Sequence, residues 1–129
     1  MVSRILIIND AQDMLNLFYD ILDREEFDLE LSNYAFEDQD TIERLGPHLV
    51  ILDFLTEDRA KRWQLLQKLK MHRSTASIPL IICTAALNDV REQEDYLRKK
   101  GVQVVFKPFE ADDLVQTVYQ TLRSTNYAS

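Results

Sequence analysis

Five polar residues stand where short aliphatic runs stop. Asn9 and Asp10 follow "RILII", Asp53 follows "LVIL", Thr84 follows "PLIIC", and Lys107 follows "VQVVF". Two acids, one amide, one hydroxyl and one ammonium make a coherent set if the runs end at one place. Two close carboxylates repel each other unless a cation lies between them. A hard divalent ion such as Mg²⁺ needs one or two carboxylates and keeps several waters. A carboxylate beside such an ion is a competent nucleophile toward a phosphoryl group and forms an aspartyl-phosphate. The ion and an ammonium neutralise the phosphoryl oxygens, and a hydroxyl donates to another. Each residue also has a plainer reading. Asp53 and Asp10 suit helix caps, Asn9 a turn, Thr84 a strand end, and Lys107 a solvated surface.

The elements that position these residues alternate along the chain. Apolar, β-branched runs at 4–8, 49–53, 79–84 and 102–106 read as strands buried on both faces, and 27–32 alternates as a fifth strand. Helical spacing begins at Asp13, with Met14, Leu15, Phe18, Ile21 and Leu22 on one face and Asp10 or Asp13 as its cap. Further helices are expected over 36–45, ended by Gly46 and Pro47, over 57–72, over 88–101 and over 110–122. In the third helix Trp63, Leu66 and either Leu69 or Lys70 share a side, and Leu114, Val115, Val118 and Leu122 of the last point inward. The last seven residues, 123–129, are polar and are expected to be loose.

Five strands alternating with five helices predict an α/β fold, a flavodoxin-like doubly wound parallel sheet of order 2-1-3-4-5. In such a sheet, sites form outside the carboxyl ends of the strands at the switch point, here between strands 1 and 3. The five polar residues fall on that edge.

Composition bounds the function. The 129 residues argue for one domain spanning 1–129, with its core at about 4–122. Apolar content of 46% and charged content of 29% are globular values. A net charge of −7 disfavours non-specific binding to nucleic acid or anionic membrane, while leaving room for a local basic patch. The single cysteine, Cys83, has no partner for an internal disulfide. No secretory leader or membrane-length apolar run is read, so the expected location is the cytoplasm. With only two glycines, Gly46 and Gly101, there is no glycine-rich phosphate loop, which argues against P-loop and dinucleotide-binding chemistry. His48 and His72 lack metal-ligand spacing, and "RKK" at 98–100 suits a helix C-terminus.

"IIND" at 7–10, "VILD" at 50–53, "ICTA" at 82–85 and "FKPF" at 106–109, in this order and at these intervals, resemble the receiver domains of two-component response regulators, such as the single-domain chemotaxis regulator. The resemblance covers about 4–122. It implies Asp53 as phosphoacceptor, Asp10 as direct metal ligand, Asn9 holding Mg²⁺ through water, and the Leu55 carbonyl as a backbone ligand. It implies that Thr84 binds the phosphoryl group, that Lys107 pairs with it, and that the Lys107–Pro108 bond is cis. It further implies a self-catalysed switch rather than a metabolic enzyme, dephosphorylating slowly, with a histidine kinase or phosphotransfer protein as donor. The downstream protein and the oligomeric state are unknown; the face of helix 4, strand 5 and helix 5 is the family's usual contact surface and the place where a dimer could form.

The chain departs from the family pattern in two places. The loop 54–62, "FLTEDRAKR", has neither the usual Met-Pro nor Asp-Gly, so the approach to Asp53 is expected to be reshaped. The usual switch aromatic, three residues before the lysine, is Val104, and Phe106 is expected on the opposite side, unable to replace it. The chief rival reading is a degenerate receiver acting as an unphosphorylated interaction module, favoured by Asn9 and the loop. A flavodoxin-type flavin carrier is a third, opposed by the missing phosphate loop.

Overall fold

The computed structural model describes residues 2–9, 11–32, 39–54, 59–85 and 88–128. Strands β1 (Ser3–Ile8), β2 (Phe27–Ser32), β3 (Leu49–Phe54), β4 (Leu80–Ala85) and β5 (Val102–Lys107) alternate with helices α1 (Gln12–Leu22), α2 (Gln39–Leu45), α3 (Arg59–Met71), α4 (Asn88–Lys99) and α5 (Ala111–Ala128). The sheet is parallel, in the order β2-β1-β3-β4-β5. This is the expected doubly wound, flavodoxin-like architecture.

Strand side chains alternate between faces, so each run serves two cores. Ile5, Ile7, Leu49, Ile51, Ile81, Cys83 and Val105 pack against Leu15, Phe18 and Leu22 of α1 and Leu114 and Val118 of α5. Leu6, Ile8, Val50, Leu52, Leu80, Ile82 and Val102 pack against Ile42 of α2, Leu65, Leu66 and Leu69 of α3 and Leu97 of α4. Strands covered on both sides have no polar face, which is why β1, β3 and β4 read as unbroken aliphatic runs. β2 lies at the sheet edge and leaves Leu31 exposed.

Local chemistry sets the ends. Gly46 (φ 58°) and Gly101 (φ 81°) take the left-handed conformation that closes α2 and α4. Arg4 clamps three elements: Nε donates to Asp28 Oδ2 at 2.9 Å, and Nη1 to the Leu45 carbonyl at 2.6 Å. Its backbone N–H donates to His48 Nδ1 at 2.8 Å, which gives His48 a structural role.

Three expectations need correction. No acid caps α1. Ala11 is its N-cap without a side-chain hydrogen bond, and Asp13 sits inside the first turn, where its charge suits the helix dipole. α5 continues to Ala128, because 123–128 holds no Gly or Pro to stop it. Finally, Phe106 is two residues beyond Val104 in a regular strand, so the two share a face rather than opposing each other. Among the described residues α2 begins at Gln39 and α3 at Arg59; the earlier starts expected for them fall at least partly outside those residues.

Candidate functional site

The site grows from register. Ile7 pairs with Ile51, and Asp53 with Cys83, which itself pairs with Val105. Continuing two residues along each strand on the same face brings Asn9 beside Asp53, with Lys107 two residues past Val105. All three therefore stand above the core formed with α1 and α5, at the carboxyl edge of the sheet.

Asp53 is fully buried, and both carboxylate oxygens are engaged. Asn9 Nδ2 donates to Oδ2 at 2.5 Å. The Lys107 ammonium forms an ion pair with Oδ1. A buried carboxylate is tolerated only with such partners. The Lys107 side chain is 24% exposed, so the pair reaches from the interior to the site opening. Asn9 is itself fixed: its Oδ1 accepts the Ala11 N–H at 2.9 Å, and its N–H reaches the Ser32 carbonyl at 3.0 Å. The Lys107–Pro108 peptide bond is cis.

Cys83 lies in register beside Asp53, fully buried. Burial pushes its thiol well above the ordinary cysteine range, the Asp53 charge pushes it further, and Lys107 partly opposes both. A disulfide-exchange reagent at mildly alkaline pH should therefore leave native Cys83 unmodified and label it at once in denaturant. Rapid labelling of the folded protein would contradict this placement.

Thr84 is the penultimate residue of β4, buried, in register with Phe54 and Phe106. Alternation puts it on the sheet face opposite Asp53, and among the described residues no hydrogen bond joins it to Asn9, Asp53 or Lys107. Asp10 and Leu55 lie outside the described residues. The structure thus brings together Asn9, Asp53 and Lys107.

Sequence reasoning missed the direct Asn9–Asp53 hydrogen bond, having put water and a metal between them. The signal was present: Asn9 is two residues past Ile7, on the strand next to β3.

The donor types suit Mg²⁺, which takes hard oxygens from one or two carboxylates and keeps its waters. Asp53 supplies one such carboxylate, and Asp10 adjoins Asn9 in sequence. Among the described residues no group of three or more His, Cys, Asp or Glu side chains is placed to hold a metal.

Comparison with known proteins places the fold and the family. The family model of the response regulator receiver domain matches residues 5–119. A CheY-like receiver protein from Methanospirillum hungatei is 23% identical with a TM-score of 0.81, and each chain is covered over 100% of its length. The signal receiver domain of a LuxO repressor protein from Vibrio parahaemolyticus is 23% identical at TM-score 0.82, over 99% of this chain and 95% of that one. NtrX from Brucella abortus is 23% identical at TM-score 0.79, covering 99% of this chain, which spans only 29% of NtrX. At these identities the likeness shows the fold. A comparison with curated proteins gives no significant match. Matched over residues 5–119 and folded in the receiver order, the chain belongs to the response regulator receiver domain family, the phosphoacceptor switches of two-component signalling.

Proposed function

We propose that this receiver accepts a phosphoryl group on Asp53 from a histidine kinase or phosphotransfer protein. The observation that carries the reading is the buried Asp53 carboxylate held between Asn9 and Lys107 at the switch point of the sheet. In the step proposed, an Asp53 oxygen bonds to phosphorus as the P–N bond of a phosphohistidine breaks. The imidazole nitrogen leaves with the electron pair. Lys107 moves from the carboxylate to a phosphoryl oxygen, keeping its ammonium next to negative charge. Asn9 keeps one carboxylate oxygen oriented, leaving the other as nucleophile. Thr84 acts as hydroxyl donor to the phosphoryl group, which requires the end of β4 to carry the hydroxyl over the sheet edge.

Mg²⁺ would be held by Asp10, Asp53 and the Leu55 carbonyl, with Asn9 contacting it through water. When bound, it supplies positive charge against the phosphoryl oxygens. Acetyl phosphate with Mg²⁺ should add one phosphoryl mass to the protein, and chelation should prevent it. No adduct under any condition would overturn the reading.

Replacing a carboxylate by the amide of Asn9 removes a charge near that ion. At ~5 Å and an effective dielectric of about 20, the interaction with a divalent ion is at most about 7 kcal/mol. Water and desolvation reduce this to roughly 1–2 kcal/mol, or about tenfold in affinity. Asn9→Asp should therefore bind Mg²⁺ about tenfold tighter by calorimetry. Affinity equal to wild type would refute this electrostatic account.

A degenerate receiver is the second reading. It is favoured by the same Asn9 and Lys107 contacts, which satisfy Asp53 from within the protein.

A further inference from the structure

The charge of this chain is unevenly placed. Between Arg59 and Ile78 there are six Lys or Arg residues and no Asp or Glu, in a protein of net charge −7. That segment is α3 and the turn after it, and it faces α4 across a groove of about 420 Å³. The α3 wall is Trp63, Leu66, Gln67, Lys70 and Met71; the α4 wall is Gln93, Tyr96, Leu97 and Lys100; Val102 of β5 also lines it. The spacings i, i+3, i+4, i+7 on both walls make each a single helical stripe.

Two features make this a prepared surface rather than a chance depression. Large apolar groups stand in solvent on both walls: Met71 is 82% exposed and Tyr96 61%. Lys70 and Lys100 border them, and among the described residues neither has an acidic partner. Lys70 donates to the Ala76 and Ile78 carbonyls at 3.2 and 3.0 Å, so its ammonium is fixed at the groove, where burial disfavours its charge. The Lys100 ammonium lies 5.7 Å from the Tyr96 ring centroid. Among the described residues Lys68, Lys70, Lys99 and Lys100 form no ion pair; Arg98 alone of the "RKK" cluster is paired, with Glu94 at 2.8 Å.

We propose that the α3–α4 groove docks an acidic amphipathic helix of a partner protein. Its apolar stripe lies against Trp63, Leu66, Met71 and Tyr96. Its acidic flanks meet Lys68 and Lys70 on one side and Lys100 on the other. Apolar anchors in a groove supply affinity, and complementary charge supplies orientation and rate. From Trp63 to Met71 the α3 wall is about 12 Å long at the helical rise, matching roughly two turns of a docked helix. The proposal does not depend on Asp53, and the groove lies away from the Asn9, Asp53 and Lys107 cluster.

Trp63 is the only tryptophan, so its fluorescence reports the groove directly. The probe is a synthetic peptide of about four helical turns, with Leu at i, i+3, i+4 and i+7 and Glu on the other face. Titrated into unphosphorylated protein, it should change Trp63 emission saturably and lose affinity as salt rises. A peptide with every Glu replaced by Lys should bind at least about tenfold more weakly. Lys68→Glu combined with Lys100→Glu should weaken the acidic peptide by about tenfold or more and bring the two peptides closer in affinity. The wild-type comparison of the two peptides tests the proposal even if that variant fails to fold.

No saturable response to millimolar peptide overturns the proposal, as does equal affinity for both peptides. It is also overturned if Trp63 responds instead to phosphatidylglycerol vesicles, or to protein concentration alone, since the occupant is then a lipid surface or a second copy. None of these outcomes bears on phosphorylation of Asp53.

Discussion

Asp53→Asn should take up no phosphoryl group from acetyl phosphate under conditions that modify the wild type. The substitution keeps the shape of the side chain and one carbonyl oxygen, so Asn9 Nδ2 retains an acceptor. It removes the anionic nucleophile, and a neutral amide oxygen does not displace a phosphoryl leaving group at a useful rate. The effect is therefore loss of the adduct, not a fractional decrease. The fold should survive, because the burial of an ionised group ends while its hydrogen bond to Asn9 remains. Lys107 is left without its carboxylate, but at 24% exposure it reaches water. Intact mass spectrometry reads the adduct, and circular dichroism reads the fold. A folded Asp53→Asn that still gains one phosphoryl mass would place the acceptor elsewhere.

Lys107→Met should be costly in two separable ways. In the resting protein it takes the Lys107 ammonium away from the fully buried Asp53 carboxylate, whose hydrogen bond from Asn9 remains. Removing one partner of a buried pair costs about 3–5 kcal/mol, and partial exposure of Lys107 places this case at about the lower figure. During phosphotransfer it removes the ammonium next to the phosphoryl oxygens, which for one such donor is worth roughly 10²–10³ in rate. Combining it with Asp53→Asn separates the two. The double variant no longer buries the Asp53 charge, so most of the stability loss should be recovered while activity stays absent. Denaturant midpoints of the four proteins give the coupling directly. If Lys107→Met is as stable as wild type, the ion pair does not hold Asp53 in the folded protein.

Much of the fold was legible because two periodicities alternate along the chain. The aliphatic runs before Asn9, Asp53 and Thr84 admit only strands buried on both faces, and five such units pack as a doubly wound sheet. The helix ends were less legible. Asp13 looked like a cap, yet Ala11 takes that position, since Asn9 Oδ1 accepts the Ala11 N–H and sets the turn. The polar tail after Leu122 looked loose, yet composition without Gly or Pro lets α5 run on to Ala128. The face of Phe106 was misread although strand parity alone decides it: residues 104 and 106 cannot oppose each other. Within the site, residue types fixed the chemistry and strand ends fixed the neighbourhood. Register decided which side chains meet, joining Asn9 and Lys107 to Asp53. Strand parity already carried the face of Thr84 and the aim of Asn9; how far each strand is offset against its neighbour, which brings Lys107 to Asp53, came from the structure.

Borohydride trapping tests the central claim most directly. An acyl phosphate is reduced to an alcohol, which marks the modified residue permanently. Protein treated with acetyl phosphate and Mg²⁺ should yield one reduced residue on peptide sequencing by mass spectrometry, at position 53, and none when the ion is chelated. Reduction at any other acid, or at none in protein that has gained a phosphoryl mass, would contradict Asp53 as the phosphoacceptor.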